Sequence, residues 1–242
     1  MSGNTTPVLT VLRSVGTAGN NHNADGDVVY VYEMPVRLWH WINAAATVVL
    51  ALTGYFIGSA VPTMPGEASD KFLFGYIRFA HFSAGYVLSV GFLLRIYWAI
   101  MGNSYAKEIF CVPIWRRGFL DELWQAIRWY AFLSARSKKT VGHNPAAQLM
   151  MFSMFTLTTA FMIATGFALY AQGSGGESWQ FSLFGWVFAI LPNSQDVHTS
   201  HHLGLWVIVT FVLIHIYAAI REDIMSRRSI SAMISGERDL RD

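Results

Sequence analysis

The chain has 242 residues, of which 53% are hydrophobic and 15% aromatic, while only 13% are charged. A soluble domain of this length carries about twice that charge, so composition excludes an ordinary water-soluble globule and reads as integral membrane. The net charge of +2 says little, but a single cysteine, Cys111, excludes a disulfide framework, a cysteine-ligated iron–sulfur cluster and a C-x-x-C-H haem attachment. Lipid is the expected surroundings, and nucleic acid is not an expected partner.

Residues 1–27 are polar and rich in Gly, Asn and Thr, with no basic stretch leading into an apolar one. They read as a disordered tail and not as a signal peptide. A first span is expected over about 36–57, entered through Pro35 and the interfacial run Arg37-Leu38-Trp39-His40-Trp41. Gly58 to Lys71, with Pro62 and Pro65, forms a short loop. A second span over about 72–101 carries Arg78, His81 and Arg95. The long connection from Gly102 to Pro145 holds Lys107, Arg116, Arg117, Arg128, Arg136, Lys138 and Lys139 against three acidic residues. Within it, Phe119 to Leu133 alternates Trp, Leu and Ile with Asp, Glu and Arg, as an interfacial helix does.

A third span, about 146–171, is uncharged. The glycine-rich and aromatic stretch that follows contains Trp179 to Leu191, which suits the outer surface. The fourth span, about 198–220, ends at Arg221, and residues 226–242 read as a second tail. Basic residues gather in the loop between spans two and three and in the C-terminal tail. Both termini are therefore expected in the cytoplasm. The expectation is an all-α integral membrane four-helix bundle over 28–225, with short interfacial helices.

The fourth span decides the chemistry, because ionisable groups inside a membrane segment are costly and mark function. It carries His198, His201, His202 and His215. His201 and His215 are fourteen residues apart, which leaves them about 40° from the same face and about 21 Å apart along the axis. His81 lies at the depth of His201, near the outer surface, and His40 at the depth of His215, near the inner one. Two facing pairs, His81 with His201 and His40 with His215, suit two b-type haems with two axial imidazoles each. His202 is the rival to His201; His22 and His198 are not expected to ligate. The spans hold no carboxylate, which argues against a zinc or di-iron cluster.

Neighbouring residues follow the same spacing. Gly54 shares a face with His40 at the outer level, where a missing side chain lets a porphyrin approach the backbone. Arg95 shares a face with His81 at the inner level, where it either pairs with a haem propionate or snorkels to headgroups. Arg78, one turn outside His81, is a second propionate candidate.

The run Arg37-Leu-Trp-His40-Trp, His81 in the second span, Gly142-His143-Asn144-Pro-Ala-Ala-Gln148 and His201-x13-His215 together resemble the cytochrome b subunit of membrane-bound nickel–iron uptake hydrogenases. The formate dehydrogenase gamma subunit is a more distant relative. The resemblance covers about residues 28 to 225. It implies a subunit of the bacterial inner membrane that anchors a hydrogenase, with its small iron–sulfur and large nickel–iron subunits, on the outer face. Electrons would pass from the iron–sulfur subunit through two haems b to membrane quinone. The same resemblance places the quinone at Asn144, with His143 and Gln148 beside it; Asn144 before Pro145 equally fits a helix N-cap. His143 is a candidate proton donor because an unperturbed imidazole titrates near neutrality. Two alternatives stay open: the same bundle serving formate dehydrogenase or another dehydrogenase, and a haem-free membrane anchor.

Overall fold

The computed structural model describes residues 28–59, 72–134, 142–226 and 229–239. Helix α1 (Met34–Gly58) starts on Pro35, whose fixed φ suits a first turn. Helix α2 (Leu73–Met101) returns antiparallel to it, followed by a 3-10 turn at Ser104–Lys107. Gly118, at φ 84°, then turns the chain into α3 (Phe119–Tyr130). The third span is one rod in three pieces: α4 (Pro145–Met150), a π-helical segment (Met151–Leu157) and α5 (Thr158–Ser174). Two short helices, α6 (Trp179–Phe184) and α7 (Val187–Ile190), precede α8 (Ser194–Ser226) and α9 (Ser229–Ser235).

Four helices are long and apolar enough to cross a membrane: Met34–Gly58, Leu73–Met101, Pro145–Ser174 and Ser194–Met225. Helix α1 packs on α2 and α5 on α8, and α1–α8 and α2–α5 contacts close the bundle. Its outside is apolar: Ile100 is 75% exposed and Leu213 65%. Its inside holds Asn43, Arg95, Thr156, Thr159 and Thr165, all buried. Apolar groups outward and polar groups inward is the arrangement that lipid selects. The chain is an integral membrane four-helix bundle.

The observed helices outrun the sequence-based spans, most of all α8, which begins four residues early and continues six beyond Ile220. Polar and charged turns at both ends, such as Ser194 to Val197 and Arg221 to Ser226, are helical without being apolar, and a hydropathy reading stops short of them. The expected interfacial helix is α3, with Phe119 and Trp129 buried and Leu120, Trp124 and Ile127 turned outward.

An antiparallel ribbon of β1 (Val28–Tyr30) and β2 (Glu237–Asp239) joins the two ends of the described chain, Val28 facing Asp239 and Tyr30 facing Glu237. Val31 and Tyr32 donate their amides to the Gly236 carbonyl at 2.9 and 3.2 Å. Residues 226–242, expected as a tail, thus contain α9 and β2, and Ala232 is buried against Val31 and Val36. The Glu33 carboxylate ties this end to α2, accepting from Trp98 Nε1 at 2.9 Å and Asn103 N at 3.0 Å. We call this the ribbon end and the other the loop end. The expectations for residues 1–27, Pro62, Pro65, Arg136, Lys138 and Lys139 lie outside the described residues.

Candidate functional site

The bundle brings its histidines together in two pairs, one near each end. At the loop end the rings of His81 (α2) and His201 (α8) have centroids 6.5 Å apart, inclined at 73°. At the ribbon end those of His40 (α1) and His215 (α8) are 6.2 Å apart, inclined at 51°. Two imidazoles on opposite sides of one metal ion have centroids about 6.2 Å apart, from two metal–nitrogen bonds of about 2.0 Å and two ring radii of about 1.1 Å. Both pairs stand at that separation. Among the described residues, no three His, Cys, Asp or Glu side chains gather as a metal-ion cluster.

The loop-end pair lines a cavity of about 910 Å³, with Gly54, Gly166, Arg78 and His198 also on its wall. Each imidazole there is held by a different helix. Thr53 Oγ1 on α1 lies 2.9 Å from His81 Nδ1, and Thr165 Oγ1 on α5 lies 2.8 Å from His201 Nδ1. Each hydroxyl also donates its one proton back along its own helix, Thr53 to Val49 O at 2.6 Å and Thr165 to Phe161 O at 2.8 Å. Each Thr oxygen can therefore only accept from the imidazole. That places the ring proton on Nδ1 and leaves the Nε2 lone pair for a metal.

The residue after each threonine is glycine. A Cβ on Gly54 would stand 3.2 Å from His81 Cε1, and one on Gly166 3.2 Å from His201 Cε1. Gly54 thus lies at the loop end as the spacing required, but the space it leaves receives the edge of an imidazole. Neither threonine nor Gly166 was singled out from the sequence; the repeated Thr-Gly-aromatic triplets, Thr53-Gly54-Tyr55 and Thr165-Gly166-Phe167, were the available signal.

The ribbon-end pair is packed differently. His215 stacks on Phe211 at 5.5 Å and 21°, Phe211 lies 5.4 Å from Phe155, and Phe155 meets Trp39 edge-on at 5.9 Å. Arg95 is only 3% exposed, its guanidinium lying between Trp39 (5.4 Å) and Phe110 (5.6 Å). Its Nε and Nη1, Trp39 Nε1, His40 Nδ1 and Asn43 Oδ1 are buried without a hydrogen-bond partner among the described residues. A buried polar group is ordinarily satisfied, and the Arg95 Nε and Nη1 with Trp39 Nε1 beside them are unused donors of the kind an anionic ligand needs. Arg95 is enclosed within the bundle.

The remaining candidates are placed as follows. Arg78 lines the loop-end cavity and lies over Phe74 at 5.0 Å. His198 Nδ1 is 3.0 Å from the Ser194 carbonyl of its own helix. His202 also lines the loop-end cavity, where it packs beside Gly58 and Trp206. Asn144 caps α4, its Oδ1 accepting from Ala147 N at 2.9 Å, and its Nδ2 donates to Tyr130 Oη at 2.8 Å. His143 is fastened to Glu108, which accepts from His143 N at 2.9 Å and pairs with Nδ1 at 2.6 Å. Tyr217 and Arg221 of α8 donate to the carbonyls of Tyr130 and Trp129, so α3, α4 and α8 are joined at the ribbon end.

A transmembrane four-helix bundle that turns histidines inward is the architecture of a membrane b-type cytochrome. Residues 31–236 match the model of the family described as prokaryotic cytochrome b561, and the chain belongs to that family. It is 62% identical over 215 residues to the "Probable Ni/Fe-hydrogenase B-type cytochrome subunit" of Rhizobium leguminosarum bv. viciae, covering 88% of this chain and 90% of the relative. The protein of that name from Bradyrhizobium diazoefficiens is 63% identical, with 88% and 87% covered. The Escherichia coli K12 "Probable Ni/Fe-hydrogenase 1 B-type cytochrome subunit" is 48% identical, with 86% and 90% covered.

Proposed function

We propose that this chain is the di-haem b cytochrome of a nickel–iron hydrogenase, seated in the bacterial cytoplasmic membrane with both termini inside, and that it delivers the hydrogenase's electrons to membrane quinone. The observation that carries the reading is the presence of two opposed imidazole pairs, at 6.5 and 6.2 Å, one toward each end of one membrane bundle. His81 and His201 would hold the outer haem and His40 and His215 the inner one. When bound, each haem supplies one-electron exchange at an iron whose potential is set by axial ligands, hydrogen bonds and burial.

The chain's own residues do the rest. Thr53 and Thr165 orient the outer imidazoles, and Arg95 offers a buried cation at the inner level where a propionate needs one. The loop end, with α6, α7 and the turn between them exposing Trp179, Leu183, Trp186 and Ile190, is the side for the iron–sulfur and nickel–iron subunits. The basic α2–α3 connection at the ribbon end supports a cytoplasmic assignment for that end. Quinone reduction there takes up protons, and His143, held on Glu108, is the group to pass one on; a His143→Ala variant that reduces quinone at the wild-type rate across pH removes it from the route. The relatives' names favour hydrogenase over formate dehydrogenase as the partner. The haem-free anchor leaves the paired imidazoles and the unsatisfied Arg95 without a purpose.

The test is a reduced-minus-oxidised absorption spectrum of the purified full chain with its haem extracted and counted. Two b-type haems per chain are expected, with His81→Ala and His215→Ala each losing one. A folded wild-type chain without haem overturns the reading.

A further inference from the structure

We propose that Thr53 and Thr165 are positioning residues that fix the axial histidines of the outer haem and set its midpoint potential, leaving the inner haem untouched. The inference rests on the di-haem reading above. Its ground is a duplicated device: on two different helices, a threonine accepts the Nδ1–H of a histidine from the next span while the adjacent glycine receives the same ring's Cε1 edge. Both histidines and both glycines line one cavity. In each, the hydroxyl's own proton is committed to a carbonyl one turn back, at 2.6 and 2.8 Å, so the oxygen cannot rotate to donate to the imidazole.

Such a slot acts in two ways. It holds each ring in one tautomer and one plane, and it lets the ring shift electron density toward its metal by leaning its N–H on an acceptor. The second effect favours the oxidised iron, which has the larger charge to neutralise, so it lowers the potential. The inner pair lacks the device: His40 Nδ1 is buried with no partner among the described residues. The two haems of one bundle are thus given different potentials by two hydroxyl groups.

The experiment uses the full chain in lipid nanodiscs, with optical redox titration and low-spin ferric EPR, the latter reading the mutual orientation of axial rings. His81→Ala first assigns which component is the outer haem. Thr53→Val and Thr165→Val then remove the acceptor at nearly constant volume, and Thr53→Ser and Thr165→Ser restore it. The expected result is a rise in the midpoint of the outer component alone, about 59 mV for each tenfold loss of preference for the oxidised state. A changed EPR signal from that component should accompany it, and both serine variants should return to wild type. Loss of the outer haem alone, through a drop of about 10- to 100-fold in its affinity, also supports the assignment. If valine is not accommodated, Thr→Ala removes the same oxygen and is read the same way. Unchanged potentials and signals with both haems retained overturn the threonine role and leave the di-haem reading standing. So do equal shifts of both components, or serine variants that behave as valine. A wild-type chain with no component sensitive to His81→Ala overturns the di-haem reading itself.

Discussion

The two ends of the bundle reach the same ring separation by opposite means. At the loop end, the Nδ1 of each paired imidazole is already answered: Thr53 and Thr165 accept from Nδ1, and two glycines clear the rings' edges. At the ribbon end the rings are packed by Phe211, Phe155 and Trp39, and the polar atoms around them are left unsatisfied. One end is organised by the protein's own groups. The other would be completed by the proposed inner haem. Burial without partners costs several kcal/mol for a charged group, so the ribbon end should gain more stability from its ligand than the loop end does.

Arg95 is the sharpest way to break that contrast. Its guanidinium is buried among aromatic rings with Nε and Nη1 unpaired among the described residues. In the haem-free chain Arg95→Met should be neutral or stabilising, because replacing a buried charge with apolar volume removes its desolvation cost. In the haem-loaded chain the sign should reverse. Removing one partner of a buried ion pair costs about 3–5 kcal/mol, which is more than about a hundredfold in affinity. Haem dissociation rates for the inner component, alongside thermal unfolding of the loaded and empty chains, would check both signs. Equal effects in the two states would mean that Arg95 packs and does not pair.

A smaller effect is expected at the loop end. In Gly166→Ala the new methyl meets His201 Cε1 at 3.2 Å, and the ring cannot swing away without stretching its bond to Thr165. Overpacking of this kind costs about 1–3 kcal/mol. Gly173, on the same helix with open space where its Cβ would lie, is the control. There the alanine should be neutral or stabilise by about 0.5–1 kcal/mol through helix propensity. Thermal unfolding should separate the two; if both alanines melt alike, the slot has slack.

Which features could be read from the chain follows from what periodicity carries. Helical phase from His201 to His215 and matched depths of His40 and His81 are properties of a regular helix, so the spans and the facing rings were within reach. Hydrogen bonds between helices are not. Thr53 and His81 are 28 residues apart and Thr165 and His201 are 36, and nothing in either helix's own pattern announces the partner. The π-helical turn at Met151–Leu157 was equally hidden, because its apolar run looks the same at either winding. Its effect is local: Thr156 Oγ1 donates to Ile109 O at 2.8 Å, outside the helix, while Phe155 reaches Trp39 and Phe211. The ribbon of three-residue strands lay below the length at which alternation signals a strand.

Asn144 carries the smallest expected effect and the finest distinction at the ribbon end. Its side chain caps α4 and holds Tyr130, so a role in quinone binding has to be separated from a role in folding. Asn144→Ala removes the cap and should cost about 1 kcal/mol. Asn144→Ser keeps a good capping oxygen but has no amide to reach Tyr130. If the asparagine only caps, Ser should restore both thermal stability and quinone reduction. If its amide also serves the quinone site, Ser should restore stability alone, and the reduction rate should stay low with a raised KM for quinone. The second outcome would extend the contrast between the ends, since the ribbon end would then leave another of its polar groups to be completed by a ligand.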